Sequence, residues 1–488
     1  MSAAEGPHPP TVTTAPAATT PAATRSLAPP AAITLVQVAM LTVVAVASLR
    51  SLPAMSTYGL GSITLFVLPA VLFMVPTALV AAELATGWRG GVYVWVREAL
   101  GNRWGFQAIW LQWIQNVVWY PTQIAFVAAS IAFMFDANLA NSGIYTAIVI
   151  LVVYWTSTLL NLRGGNLFAK VGSWGGIVGT LAPGLLLVLL GIYWLADGQQ
   201  SQVPLHTGDV IPPFTGFASI VLIVSNFLAY AGMEVNAVHA NDMKDPGRQY
   251  PRAIFIASGV ILVLFILPTI AVALAVPKSE LGLTTGINLA FSIFFEHLGI
   301  PWATVVISAA IALGAIASVV TWIAGPSRGL LAAAQTGLLP PALQKRNKAN
   351  VQIGILAVQG IIVSVLALPF LLIPNVSGAF VTLVDMAAAL YLIMYMLMFA
   401  SVIVLRRKAP DVRRTYRVPA LPIVAGVGFA ASLVGFIFSF IPPDGVSGIP
   451  SSAFPFVMIG VVLVLGVPPL LFYALRKPAW DLRSKRGG

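Results

Sequence analysis

Twelve apolar runs, each about 20 residues long, dominate this chain of 488 residues. A run of that length matches the hydrocarbon thickness of a bilayer. Inside lipid every backbone N–H and C=O must be satisfied within the protein, so long unalternating apolar runs span as helices. The expected spans are 33–55, 62–85, 106–135, 142–162, 171–196, 215–240, 252–276, 301–329, 351–373, 378–405, 420–441 and 453–475. Charged residues make up only 8% of the chain, against about 25% in a soluble domain. The expected fold class is an all-α polytopic membrane protein with twelve transmembrane helices.

The net charge of +11 would suit a nucleic-acid partner, but its placement argues for a bilayer instead. The two tails and the alternate loops hold 24 of the 26 Lys and Arg residues. Lys278 stands on the opposite side, and Arg50 lies inside the first span. By the positive-inside rule both termini are cytoplasmic, in a multi-pass protein of the cytoplasmic membrane. Residues 1–30, rich in Pro, Ala and Thr, read as a disordered cytoplasmic tail rather than a signal peptide. Residues 477–488 form a second cytoplasmic tail.

The chain has no cysteine, which excludes disulfides and thiol chemistry. Its histidines, His8, His206, His239 and His297, are scattered, and no metal or cofactor is expected. P-loop, GxSxG and HExxH signatures are lacking, so neither an enzyme nor an ATP-driven pump is expected.

An internal echo organises the spans. Glu98-Ala99-Leu100-Gly101-Asn102-Arg103-Trp104 and Glu296-His297-Leu298-Gly299-Ile300-Pro301-Trp302 both read E-x-L-G-x-x-W before a long apolar run. The first lies in a basic loop and the second on the opposite side. Similar sequence on opposite faces implies a 5+5 inverted repeat. The expected halves are 31–200 and 211–408, followed by two further spans within 418–476.

The sixth span contains Ala229-Tyr230-Ala231-Gly232-Met233-Glu234. A carboxylate at membrane depth costs a few kcal/mol or more unless it has a partner or water, and such residues mark functional sites. Gly232 lets the backbone leave the helix. The repeat then requires a matching break in the first span, where Ser48, Arg50 and Ser51 precede Pro53. Two broken helices form a receptor for a zwitterion. Amides opening the second half of the first span suit a carboxylate, and carbonyls freed at Ala229–Gly232 suit an ammonium. Arg50 is either a substrate-binding cation or half of a structural ion pair. Trp322 either packs on substrate carbons or fills a helix interface, and Tyr391 and Tyr395 share a face one turn apart. Asp385 is a second carboxylate, proton-linked or simply near the outer mouth. Glu83 is expected to pair with an Arg at the cytoplasmic end of the second span.

Three stretches carry a resemblance to a known family. They are Tyr230–Glu234 with Asn241–Pro251, Gly325–Gly329 with Ala334–Pro340, and Ala82–Ala85 through Arg103–Phe106. In these the chain resembles the glutamate/GABA antiporter family of the amino acid–polyamine–organocation superfamily. The resemblance implies alternating access with exchange, and substrate held between helices 1, 3, 6, 8 and 10. Glu234 then matches a proton-coupling or gating glutamate, Trp322 a tryptophan near the substrate, and Tyr391 and Tyr395 the tyrosines of the tenth helix.

Departures from the pattern limit the detail. Leu228 stands where arginine-exchanging relatives carry a gating Trp, Ser318 stands for a Glu, and Arg50-Ser51 replaces a Tyr-Glu pair. The chain ends thirteen residues after its last expected span, so the C-terminal plug that closes acid-resistance members is not expected.

The expected substrate-binding residues are Arg50, Ser51, Tyr230, Gly232, Trp322, Tyr391 and Tyr395, with Glu234 and Asp385 for proton coupling or gating. The expected ligand is a small amino acid or amine, with protons as a second partner and lipid around the protein. The alternatives are a proton-coupled amino acid or amine permease working as a symporter and, more distantly, a non-transporting receptor or membrane enzyme.

Overall fold

The computed structural model describes residues 33–164, 175–443 and 448–481, and the two expected tails and the start of the fifth expected span at 171–174 fall largely or wholly outside them. Among the described residues the only β pairings are isolated bridges, and the chain is otherwise helical. The helices are α1 Leu35–Val46, α2 Leu52–Ser56, α3 Gly59–Gly87, α4 Gly91–Leu100 and α5 Asn102–Ala132. Next come α6 Gly143–Leu162, α7 Ile177–Ala196, α8 Val221–Tyr230, α9 Pro246–Ala275 and α10 Gly286–His297. The last are α11 Ala303–Ala334, α12 Ile353–Leu372, α13 Val376–Lys408, α14 Leu421–Phe438 and α15 Phe454–Leu475.

Each expected span contains helix among the described residues. Nine of the described helices are long and apolar enough to cross a membrane by themselves, and a tenth crossing is the bent pair formed by α1 with Leu49–Ser56. The two remaining spans deviate for a reason that matters to function. α5 is 31 residues long but carries a row of amides, and α8 stops at Tyr230 because the backbone breaks there.

Local chemistry places the helix ends. Thr34 and Gln37 form a reciprocal capping box at the start of α1, with Gln37 Oε1 accepting from Thr34 N at 2.9 Å. Asp245 caps α9 with Pro246 in its first turn, so the Asp-Pro-Gly-Arg stretch is a helix start. Each copy of the echo has a positive-φ glycine at a helix end, Gly101 (φ +93°) as the C-cap of α4 and Gly299 (φ +72°) just after Leu298, the C-cap of α10. A side chain is strained in that region, so glycine suits both positions.

Burial separates central from peripheral helices. In α13, 67% of the apolar window is buried, and in α15 only 17%. α13 therefore runs through the middle of the bundle, and α15 presents most of its surface to lipid. One charged cluster ties the ends of α3 and α13 together. Glu83, wholly buried, accepts from Arg406 Nε at 3.0 Å and from Val418 N at 2.7 Å, and it also pairs with Arg406 Nη2. Arg414 lies 3.8 Å from Glu83, donates to the Leu405 and Ala409 carbonyls, and stacks on Trp88. The pairing expected for Glu83 is present.

Candidate functional site

The first span breaks earlier than expected. α1 ends at Val46, Ala47 and Ser48 are extended, and the chain resumes at Leu49 with a bend of 45°. Pro53 lies in the first turn of α2, where its missing N–H is no loss, so it starts the second half rather than breaking the helix. The Arg50 amide is taken by Ser48 Oγ at 3.3 Å. Any anion at this break is left to the Arg50 side chain more than to the backbone.

The sixth span breaks where expected. α8 ends at Tyr230, Ala231 is extended, Gly232 has φ +104°, and short 3-10 turns continue over Val235–Asp242. The freed backbone is put to use. Gly232 N donates to Glu234 Oε2 at 3.1 Å and to the Tyr395 hydroxyl at 3.0 Å. Trp322 of α11 packs over Gly232, since a Cβ added there would lie 3.6 Å from the indole. Glu234 accepts three more bonds, from Tyr391 at 2.5 Å, Tyr395 at 2.6 Å and Gln112 at 3.2 Å. Burying an ionised carboxylate costs several kcal/mol. Hydrogen bonds to a charged group contribute roughly 1.5–3 kcal/mol each. Four of them offset that cost, so Glu234 needs no cation.

Arg50 is in the opposite situation. It is 3% exposed, its Nε has no hydrogen-bond partner, and among the described residues the guanidinium makes no ion pair. Its one polar compensation is the face of Phe380, with Cζ 5.5 Å from the ring centre. A desolvated cation–π contact is worth about 2 kcal/mol, less than the several kcal/mol that burial of the charge costs. Among the described residues Arg50 therefore has no counter-charge.

Both groups line one cavity of about 680 Å³. Its exposed wall residues are Leu41 and Val44 of α1, Gly90 between α3 and α4, Val235, and Thr321 and Gly325 of α11. Along α5 it extends from Ile109 to Phe126, and along α1 it ends at Arg50. Trp119 and Trp322, with ring centres 6.4 Å apart, flank its middle.

The expected residues divide clearly. Arg50, Glu234, Trp322 and Tyr391 are on the wall, and Tyr395 and Gly232 stand directly behind Glu234. Tyr230 is not on the wall: its hydroxyl donates to the Phe66 carbonyl at 2.9 Å and its ring stacks on Phe265. Ser51 is buried away from the wall, with its hydroxyl unpartnered. Asp385 lies on another face of α13. Leu392 and Phe399 meet Gly435 and Gly428 of α14, and Asp385 is seven residues before Leu392 on that stripe. It is buried and is not among the residues of the cavity wall.

Sequence reasoning missed the residues of α5. Gln112, Gln115, Asn116, Trp119 and Gln123 all line the cavity. Their spacing of three, four and seven residues is the helical period, and amides at that period inside an apolar run were the available signal.

A family model for amino acid permeases matches residues 33–464. The chain belongs to the amino acid permease family. The permease is 36% identical over 420 residues to an uncharacterised transporter of Legionella pneumophila subsp. pneumophila, covering 85% of this chain and 90% of that one. It is 32% identical over 433 residues to a glutamate/gamma-aminobutyrate antiporter of Lactococcus lactis subsp. lactis, covering 86% and 84%. The crystal structure of MhsT in complex with L-phenylalanine superposes with a TM-score of 0.51 at 12% identity, covering 83% of this chain and 98% of that one. That likeness carries the fold alone. The permease is a multi-pass membrane protein and a secondary transporter of amino acids.

Proposed function

We propose that the permease is an amino acid antiporter of the cytoplasmic membrane that takes carboxylate-bearing substrates on Arg50. The observation that carries this reading is the Arg50 guanidinium on the cavity wall, which makes no ion pair among the described residues. The one acid on the described cavity wall, Glu234, is already satisfied by four donors. A substrate carboxylate completes the charge, and carbonyls of the break at Ala229 and Ala231, both on the wall, accept from the ammonium. Glutamate and gamma-aminobutyrate, named for the Lactococcus relative, both carry such a carboxylate.

The basic loops lie on the mouth side of the cavity, so the positive-inside rule makes this an inward-open arrangement with both termini cytoplasmic. Exchange follows when the loaded site, and only the loaded site, crosses easily to the other access state. An empty site would have to cross with a bare buried cation.

The test is counterflow in proteoliposomes with labelled glutamate inside. Antiport predicts efflux only when substrate is added outside. Uptake driven by a pH gradient alone would replace antiport with proton symport. Arg50→Ala is expected to lose binding of acidic amino acids at least tenfold, or about 1.4 kcal/mol, with Arg50→Lys intermediate. A folded Arg50→Ala protein with wild-type affinity would sink the carboxylate role.

A further inference from the structure

α5 places four amide side chains on the cavity wall, Gln112, Gln115, Asn116 and Gln123. Three are committed to the protein. Gln112 donates to Glu234 at 3.2 Å. Gln115 and Asn116 both donate back to the Gln112 carbonyl, at 3.2 and 2.9 Å. Gln123 is different. It is 4% exposed, its Oε1 is buried without a hydrogen bond, and among the described residues its amide nitrogen has no partner either. The other buried glutamines with an unpartnered oxygen, Gln107 and Gln344, are anchored through their nitrogens to backbone carbonyls. Gln123 has no such anchor, and it faces the cavity.

Its depth is set by the helix. Gln123 lies one turn beyond Trp119, which packs on Trp322, and one turn before Phe126, the last wall residue of α5. It therefore stands beyond the aromatic pair, toward the end of the cavity away from Gly90. A buried amide left without a partner is costly, while a ligand group that fills it recovers the whole penalty. Sites built this way reject ligands that lack the matching polar group far more strongly than apolar pockets reject a missing methylene.

We infer that Gln123 is a specificity-determining residue that hydrogen-bonds a polar group at the substrate's far end. The class selected is amino acids with a carboxylate or carboxamide side chain, against apolar isosteres. A carboxylate or carbonyl oxygen in the cavity accepts from the Gln123 nitrogen, which, unlike Oε1, is not among the buried atoms. This inference rests on the proposed amino acid site and deepens it.

The experiment is a competition series on the full-length protein. Unlabelled glutamate, glutamine, norvaline and leucine compete against labelled glutamate for exchange, and the same four ligands are measured separately by thermal shift. Wild type is expected to favour glutamate and glutamine over norvaline by tenfold or more. Gln123→Leu should shrink that ratio at least tenfold while norvaline binds as well as before. Gln123→Glu should keep glutamine but reject glutamate by more than tenfold, because two carboxylates then face each other. A merely structural role would weaken all four ligands together. Folded Gln123→Leu and Gln123→Glu proteins with the wild-type ratio would overturn the inference. A wild type that binds but does not exchange would overturn antiport alone and leave Gln123 judged on the binding ratios. Binding of none of the four would overturn both.

Discussion

The Tyr395 hydroxyl lies 2.6 Å from Glu234 Oε2 and 3.0 Å from the Gly232 amide, so one side chain of α13 holds both the carboxylate and the backbone of the broken sixth span. Tyr391, one turn earlier on α13, holds the other carboxylate oxygen. A change in the charge of Glu234 therefore acts at once on α13, on the break and, through Gln112, on α5.

Glu234→Gln keeps the size of the side chain and removes its charge. The variant is expected to bind substrate within about tenfold of wild type, because Arg50 is not its partner. Exchange should be slower, and its dependence on pH flatter. The measurement is exchange in proteoliposomes from acid to mildly alkaline pH, with binding measured apart. Wild-type rate and wild-type pH dependence in the variant would remove Glu234 from coupling.

Glu83 is a structural acid, and its loss should read as instability rather than altered selectivity. Glu83→Gln leaves Arg406 and Arg414 beside a neutral group and weakens the bond to Val418 N. Removing one partner of a buried pair costs about 3–5 kcal/mol. Arg406 is partly exposed, which brings the expectation to the lower end of that range. The midpoint of thermal unfolding in detergent should fall, while the ligand ratios of the surviving protein stay the same. An unchanged midpoint would show that the cluster contributes nothing to stability.

On the opposite side, Asp197 at the end of α7 meets His297 at the end of α10, with 2.8 Å between the carboxylate and Nε2. Hydrogen bonds from His297 and then Gln199 hold the Asp197 carboxyl below its ordinary range. A depressed carboxylate stabilises the fold above its unfolded pKa, and that contribution disappears as the pH falls through the folded value. Thermal unfolding of wild type and His297→Ala should differ at neutral pH and converge on acidification below the carboxylate range. A difference that grows with acid would contradict this sign.

The orientation can be read directly. A reporter fused after residue 477 is expected on the cytoplasmic side, and one inserted near Gln200 on the outside, because the basic residues crowd the loops of one face. A cytoplasmic signal from position 200 would undo the assigned direction of the spans.

Much of the architecture was determined by one-dimensional properties. Hydropathy and length located the spans, since a bilayer fixes how much apolar helix is needed to cross it. The echo around Gly101 and Gly299 marked the repeat, and the Gly232–Glu234 step marked the sixth break, because glycine and buried charge have local costs that the sequence displays. The partners of those charges were decided only by tertiary structure. Nothing local distinguishes Tyr391, bonded to Glu234, from Tyr230, which turns to the Phe66 carbonyl. Helical period relates residues on one helix, but the neighbour that a face meets depends on how helices from distant parts of the chain pack. Asp385 therefore stayed off the cavity wall, the amides of α5 came to it, and among the described residues Arg50 was left without a counter-ion.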